Sequence, residues 1–532
     1  MSKTIEHWQV RKAAIVHAEG MVAAQHYLAA RAGAALLHDG GNAVDAAVAA
    51  ALALGAVEPW MCGLGGSGLM VVWLAGEQRA VVLDFQGVLA ARTAPEAYPI
   101  DPDLPETLMG FPTVRGNANV EGYRSITVPG AAAGFDHAIR NYGSRPLKTI
   151  AAPAIQLARA GLSVEWFAHL QISLAMGTLQ KDAASADVYL PDGRPALPES
   201  RISIPGLADT LEAYGAGGAA DFYQGDLARA IVADLASGGS TITGDDFAAY
   251  SVLEAEVLES EHRGTRLFTP GATSGGQRLR DCLAHIASHL PAPPVAPTPE
   301  TWATYAAGLE LAWRNHNRRI GRETEVGTCT SHLSTVDRHG NMVALTHTLL
   351  NRFGSGVTLP ATGLMMNNAV SYFDPRPGYP TTMAPRMRIN ASNMCPTIAV
   401  RGGRALFAIG ASGGNHIMPA VAQVAALMLD FGMDLEAAIN MPRLDASNRG
   451  SGRVDPALGG AVITELGRHY TLEIAQRLVF PKLYACVSGV SRSEDGSVHG
   501  LNDPSLPIGG ASGPMAFPTG LGAADPEAGV RA

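Results

Sequence analysis

The chain has 532 residues, 47% hydrophobic and 16% charged, with a formal net charge of −9. That is ample for a large core, and the acidic balance argues against nucleic acid or an anionic membrane as partner. Five cysteines, Cys62, Cys282, Cys329, Cys395 and Cys486, are odd in number and widely spaced, so they give neither a disulfide framework nor a zinc spacing. Met1–Lys12 has no apolar h-region and no apolar run is long enough to span a bilayer, so a soluble cytoplasmic protein is expected.

In chain order, residues 22–55 read as two helices broken at Gly40-Gly41, with Asn42 as N-cap of the second and Asp45 in its first turn. Leu69–Leu74 and Ala80–Phe85 read as a strand pair, and the Pro-, Gly- and Asn-rich residues 92–125 as a surface excursion. Helices are expected near 130–142, 148–161, 205–214, 225–236, 275–289 and 300–318, with a loop over Asp182–Glu199 and a stiff connector at Pro291–Pro299. Beyond residue 330 the texture turns to short β segments at 331–336, 342–349, 395–400 and 404–409, then helices at 415–430 and 434–440. The Gly-, Ala- and Pro-rich tail from Pro507 to Ala532 is expected to be disordered. No internal repeat is visible.

Four constellations carry chemistry. Thr330 opens a hairpin that turns at Gly340-Asn341, and Thr348 lies on its return strand. A threonine freed at its amine by cleavage after Cys329 can use that amine as general base for its own hydroxyl. Gly413-Gly414 follows a strand and precedes an apolar helix, so its N–H groups can face a developing oxyanion. The same stretch, Gly410-Ala411-Ser412-Gly413-Gly414, fits the G-x-S-x-G nucleophile elbow, with Asp455 and His469 or His499 completing a triad. Against this, the first half of the chain lacks the parallel strands an elbow needs. Gly63–Gly68 matches G-x-G-x-x-G, yet a helix precedes it and a strand follows, so it reads as a loop near the active site and not as a dinucleotide site. Asp281, His285 and His289 share a helical face; a polar stripe is favoured over a metal site there, as is a solvated face for Arg314, Arg318 and Arg319. His332 falls on the Thr330 face of its strand and reads as supporting structure.

The segment from Thr330 to Thr348 is similar to the T-T-H-x-S-x-V-D-x-x-G-N-x-V-A-x-T-x-T pattern of the γ-glutamyltranspeptidase family, with Ser331 in place of the second Thr. Further blocks resemble that family in the same order: Gly40–Ala49, Val128-Pro129-Gly130, Ser274-Gly275-Gly276, Met394–Ile398 and Gly410–Gly414. The resemblance implies an α+β fold, the four-layer αββα sandwich of N-terminal-nucleophile hydrolases. It implies a proenzyme cut between Cys329 and Thr330 into interlocked segments 1–329 and 330–532, without metal or cofactor. It implies Thr330 as nucleophile, Thr348 as its hydrogen-bonding partner, and Gly413 and Gly414 as the oxyanion donors. A dimer of cleaved heterodimers is compatible with it.

The family's amino-acid clamp is not kept. Its D-F-R element reads Asp84-Phe85-Gln86, and a neutral amide does not replace a bidentate guanidinium for a carboxylate. Leu350 stands for an Asn, Ala369 and Tyr372 follow Asn367-Asn368 where Gln and Asp bind an amine, and the paired-serine element is half kept as Ser392-Asn393. Gln86, Leu350, Asn368, Tyr372, Ser392 and Asn393 are therefore the expected substrate-binding positions. The expected substrate is a small amide without a glutamyl head, oxamate first and glutaryl amides second; Arg115, Arg386 and Arg388 are candidate carboxylate partners. The alternatives are a glutathione hydrolase, a cephalosporin or glutaryl acylase, and a non-catalytic scaffold.

Overall fold

The computed structural model describes residues 10–106, 111–271, 274–320, 330–390, 393–447 and 450–518. Two seven-stranded sheets form its centre. Sheet I runs Gly510–Ser512, Met21–Ala24, Ser331–Val336, Met342–Thr348, Ser67–Leu74, Arg79–Phe85 and Leu253–Ala255. Sheet II runs Ile15–His17, Val498–Asn502, Cys486–Arg492, Arg404–Ser412, Thr397–Arg401, Thr265–Pro270 and Val257–His262. Every pairing in both is antiparallel.

Strand alternation divides each sheet between two cores. Val71, Trp73, Val336, Met342 and Ala344 of sheet I meet Phe268, Ile398, Ala408 and Val490 of sheet II in an apolar layer between the sheets. Met70, Val72, Leu333, Val343 and Leu345 point the other way, into a core with helices such as Ala43–Val57 and Ala131–Tyr142. The outer face of sheet II is covered by helices Gly276–His289, Pro299–Ile320 and Ile417–Phe431. The result is the expected αββα order, and both sheets draw strands from each side of residue 330.

Local chemistry fixes the elements that position the site. Asn42 and Asp45 form a reciprocal capping box at the start of helix Ala43–Val57. In the hairpin turn, Asp337 Oδ1 accepts from the His339 and Asn341 amides at 2.9 and 3.1 Å. Its Oδ2 accepts from Asn341 Nδ2 at 2.8 Å and from the Ala43 amide at 3.0 Å. Gly340, at φ +86°, closes the turn where a side chain would be strained. One carboxylate thus locks the hairpin and ties it to the helix N-terminus.

Several expectations change. Residues 21–24 are strand, so the first helix begins at Tyr27. The described residues of 92–125 form loops and short 3₁₀ turns, but Tyr98, Phe111 and Val114 are buried, so they pack on the core instead of leaving it. The expected loop at Asp182–Glu199 opens with helix Ala183–Tyr189, which Asp182 caps by accepting from the Ser185 amide. The tail from Pro507 is ordered as far as Pro518: Gly510–Ser512 pairs with Met21–Ala24 and satisfies that sheet edge, while residues 519–532 lie outside the described residues. Among the described residues no helix is long and apolar enough to cross a membrane.

His347 sits on the helical side of sheet I, edge-on to Phe135, with neither ring nitrogen hydrogen-bonded. Burial lowers its pKa to about 3. Below the usual histidine value the unfolded chain takes up a proton that the folded chain refuses, so stability falls as pH drops from about 6.5 toward 3. His347→Phe should therefore gain about 2 kcal/mol on wild type at pH 5 relative to pH 8, read from denaturant melts at both pH values. Equal differences at the two pH values would show that His347 does not titrate in the unfolding reaction.

Candidate active site

Register brings the site together. Ser331 lies opposite His347, Thr348 opposite Ser67, and Gly68 opposite Phe85. One step further places Thr330 across from Thr348 and Gln86 across from Ser67. Thr330, Thr348, Ser67 and Gln86 thus form one row across four strands. All lie an even number of residues from Val336, Met342, Val71 and Val82, which face sheet II. The row therefore faces sheet II too, and all four residues are fully buried.

This row lies at the end of the sandwich away from the hairpin turns. Arg492 Nη2 donates to the Arg338 carbonyl at 3.3 Å, joining the end of Cys486–Arg492 to the Gly340 turn. A Cβ on Gly403 would meet Gln78, joining the turns of two further hairpins at the same end. The opposite end holds Cys486 paired with Ser412. A Cβ on Gly410 would meet the His332 ring at 2.3 Å, so that ring lies on Gly410. Thr330 lies two residues further along the His332 strand, toward the end of the sandwich where the Ser412–Gly414 turn leaves sheet II.

That turn suits glycine. Gly413 has φ +136° and Gly414 φ +61°, and a Cβ on Gly413 would meet Ala485 at 2.7 Å. Gly414–His416 forms a 3₁₀ turn leading into helix Ile417–Phe431. Two adjacent amides at a helix entry, facing a threonine, are the ingredients of an oxyanion site. His332 is held between the sheets by Thr346 Oγ1 at 2.8 Å and Ser334 Oγ at 3.0 Å, and burial keeps it neutral with a pKa of about 3. Its hydrogen bonds make it a brace, as the sequence suggests.

Thr348 Oγ1 accepts from the Leu350 amide at 2.8 Å, which leaves its own proton to donate. The glycine loop at 63–68 lies against this residue: a Cβ on Gly66 would meet the Thr348 carbonyl at 2.5 Å. Ser67 Oγ donates to Gln86 Oε1 at 3.2 Å, and Gln86 Nε2 reaches Met394 Sδ at 3.3 Å. Tyr372 donates to Asn393 Oδ1 at 3.3 Å, so these two expected positions meet. Leu350, Tyr372 and Met394 share an apolar cluster with Leu69 and Phe111. Leu350 is in the left-handed region at φ +85°, which asparagine adopts far more readily than leucine.

Other expected positions stand back. Asn368 holds loops together, accepting from the Asn351 amide at 3.1 Å and donating to the Val120 carbonyl at 2.9 Å. Ser392 and Cys329 lie outside the described residues. Arg388 donates to the Gln86 carbonyl at 3.1 Å and to the Ser251 carbonyl at 2.6 Å, behind the Gln86 side chain. Arg115 and Arg386 are exposed. Sequence reasoning missed Ser67 and Met394, although the two-residue period running back from Val71 points Ser67 at the site. It also missed Glu58 beneath the hairpin, and a buried glutamate leaves no periodic trace.

The rival readings find no support. Ser412 ends a strand with antiparallel neighbours on both sides, where an elbow requires a parallel sheet. His499 bonds Ser493 and Ser497, and Asp455 caps a turn at Ala457. Asp281 pairs with Arg319, and the His285 and His289 rings stack 3.9 Å apart. Among the described residues no group of three His, Cys, Asp or Glu is placed to hold a metal.

Two antiparallel sheets between helical layers, with an N-terminal-nucleophile arrangement at one end, define the class: a hydrolase acting on amide bonds. Comparison with known proteins makes this specific. The γ-glutamyltranspeptidase family profile matches residues 29–314 and 298–511, and the chain belongs to that family. It is 31% identical over 462 residues to an acylase ACY 1 proenzyme of Pseudomonas sp. (strain SE83), covering 80% of this chain and 82% of the relative. It is 27% identical over 504 residues to the glutathione hydrolase proenzyme of Bacillus subtilis (strain 168), covering 84% of each. The fold matches the crystal structure of a cephalosporin acylase from Bacillus halodurans with a TM-score of 0.82 at 23% identity, over 96% of this chain and 99% of that one.

A side chain at Gly413 would press on Ala485 and force a left-handed backbone to move. Gly413→Ala is therefore expected to lower kcat about a hundredfold and to lower the thermal transition as well, whereas Ser412→Ala should leave most activity and the transition unchanged. Steady-state kinetics and a melt on each variant decide this; the reverse ranking would return Ser412 to the role of nucleophile.

Proposed function

We propose that this chain is a self-processing amidohydrolase whose nucleophile is Thr330, acting on an amide that lacks an α-amino-acid head. The observation that carries the reading is the buried four-residue row in which Thr330 stands across from Thr348, at the end of the sandwich where the Gly413–Gly414 turn lies. In this reading the chain is cut before Thr330, and the freed amine serves as general base for the adjacent hydroxyl. Oγ1 attacks the amide carbonyl, and the Gly413 and Gly414 amides hold the oxyanion. The amine then passes its proton to the leaving nitrogen, and water, activated by the same amine, resolves the acyl-enzyme. Thr348 orients the amine. Because both sheets mix strands from before and after residue 330, the two segments stay interlocked after the cut. The relatives' description as proenzymes supports the processing step.

Thr330→Ala should remain a single 55.3 kDa chain on a denaturing gel and be inactive, while Thr330→Ser should keep part of both processing and turnover. An alanine variant that still hydrolyses the substrate would remove Thr330 from the mechanism.

The substrate follows from the far end of the row. Where the family's guanidinium would grip a carboxylate, Gln86 is buried and engaged by Ser67 and Met394. Losing charge-assisted contacts to a glutamyl head weakens binding by about 1.5–3 kcal/mol each. The sequence alone favours oxamate. The buried Leu350, Tyr372 and Met394 favour an acyl group with a carbon chain, which places glutaryl-type amides first and oxamate second. A panel of glutaryl amides, oxamate, γ-glutamyl anilides and glutathione should give the highest kcat/KM for a non-glutamyl amide. Glutathione well above all others would restore the glutathione hydrolase reading.

A further inference from the structure

On the helical side of sheet I, directly behind the candidate nucleophile, a buried carboxyl meets the strand. Glu58 caps the C-terminus of helix Ala43–Val57, its amide bonded to the Leu54 carbonyl at 2.7 Å, and it is 1% exposed. The turn that follows is bolted to the chain beyond Thr348. The Leu349 amide donates to the Met61 carbonyl and the Phe353 amide to the Trp60 carbonyl, both at 2.8 Å. The carboxyl is therefore fixed relative to both threonine strands.

Its partner is Ser331, the residue after Thr330. Ser331 Oγ lies 3.0 Å from Glu58 Oε2 and 3.4 Å from Gln25 Oε1. A hydroxyl has one proton and cannot serve two acceptors. Both contacts are satisfied when Glu58 carries a proton: Glu58 donates to Ser331, and Ser331 donates to Gln25. Ionised, Glu58 would claim the serine proton and leave Gln25 Oε1 without a donor. The Gln25 amide would then have to turn over, so that Nε2, without a partner in the present orientation, donates to Ser331 Oγ.

We propose that Glu58 is a positioning residue of the amidohydrolase reaction. Through this hydrogen-bond chain and the peptide bond that Ser331 shares with Thr330, it fixes the nucleophile opposite Thr348 and the Gly413–Gly414 turn. The inference rests on Thr330 being the nucleophile. The groups facing Glu58 are Ser331 on its strand, Gln25 before helix Tyr27–His38, and Trp60 and Cys62 on its own turn. Glu165 at the N-cap of helix Trp166–Leu179 and Lys482 before strand Cys486–Arg492 also act on it. Burial, set against Lys482 and the serine bond, pushes the carboxyl up to about 7. The chain of hydrogen bonds therefore reverses as pH rises through neutrality, which adds a falling limb to the activity above about pH 7. Any rising limb from the Thr330 amine is separate.

The test is kcat and KM from pH 6 to pH 9 for the purified self-cleaved enzyme on the best amide of the panel. Self-cleavage rates of freshly made proenzyme, read on a gel, give a second readout that needs no substrate. In Glu58→Gln, which donates to Ser331 at every pH, the pH 9 to pH 6 ratio of kcat should rise on the order of fivefold over wild type. Ser331→Ala should lower kcat about tenfold with KM within about twofold, and Ser331→Thr should restore most of it. A purely structural role would leave the pH ratio unchanged. An unaltered ratio in Glu58→Gln, or an unaltered kcat in Ser331→Ala, overturns the proposal; if Glu58→Gln does not fold, the two Ser331 variants decide it. Thr330→Ala separates the two readings. If it is inactive while the Glu58 profile is unchanged, only the positioning role fails; if it stays active, the nucleophile assignment fails with it.

Discussion

The site depends on the register of one hairpin. With Ser331 opposite His347, Thr330 and Thr348 share the face toward sheet II. A slip of one residue in either strand would turn one threonine into the helical core. Asp337 prevents the slip, because its two oxygens close the turn on three amide groups and hold the Ala43 amide at the same time. The V-D-x-x-G-N stretch is thus a mechanical clamp some six residues from the threonine it positions. The same two-residue period carries the row on to Ser67 and Gln86.

The two sheets divide the work. Sheet I supplies the row of side chains, and sheet II supplies the backbone turn that faces it. The hairpin turns of both sheets gather at the other end, so the open end is where strands run out into loops of irregular shape. Specificity can change there without disturbing the pairing. Leu350 illustrates this: it follows directly on Thr348's strand, yet its backbone conformation suits asparagine better than leucine. An apolar contact has been kept at a position whose geometry favours a polar residue, and strain of this kind concentrates at functional sites.

Much of this was legible in the sequence. The capping box at Asn42, the strand pair around Val71 and Val82, and the hairpin at Gly340 each carry a local signal, and each forms where that signal places it. Helix Trp166–Leu179 gave none, because its apolar residues lie on every side and period 3.6 does not stand out. Residues 92–125 looked like surface because Pro, Gly and Asn dominate, yet three side chains in that stretch are buried against the site's apolar cluster. Thr330 and Thr348 could be named from resemblance. That Thr348 pairs with Ser67, and that Met394 meets Gln86, could not, since contacts between segments distant in the chain are set by the tertiary fold. Glu58 was invisible for a different reason: only the three-dimensional placement of Ser331 and Gln25 gives it a partner.

The mixing of strands in both sheets has a further consequence for the lifetime of the protein. Before a cut at Thr330, folding is an intramolecular search in which the hairpin Ser331–Thr348 finds Ser67–Leu74 along a covalent tether. Afterwards the same pairing would be a bimolecular encounter between two pieces, neither holding a complete sheet. Maturation would then act as a ratchet, exchanging reversible folding for a barrier crossed in one direction only. The persistence of the mature molecule would be governed by its unfolding rate and no longer by an equilibrium between folded and unfolded chains.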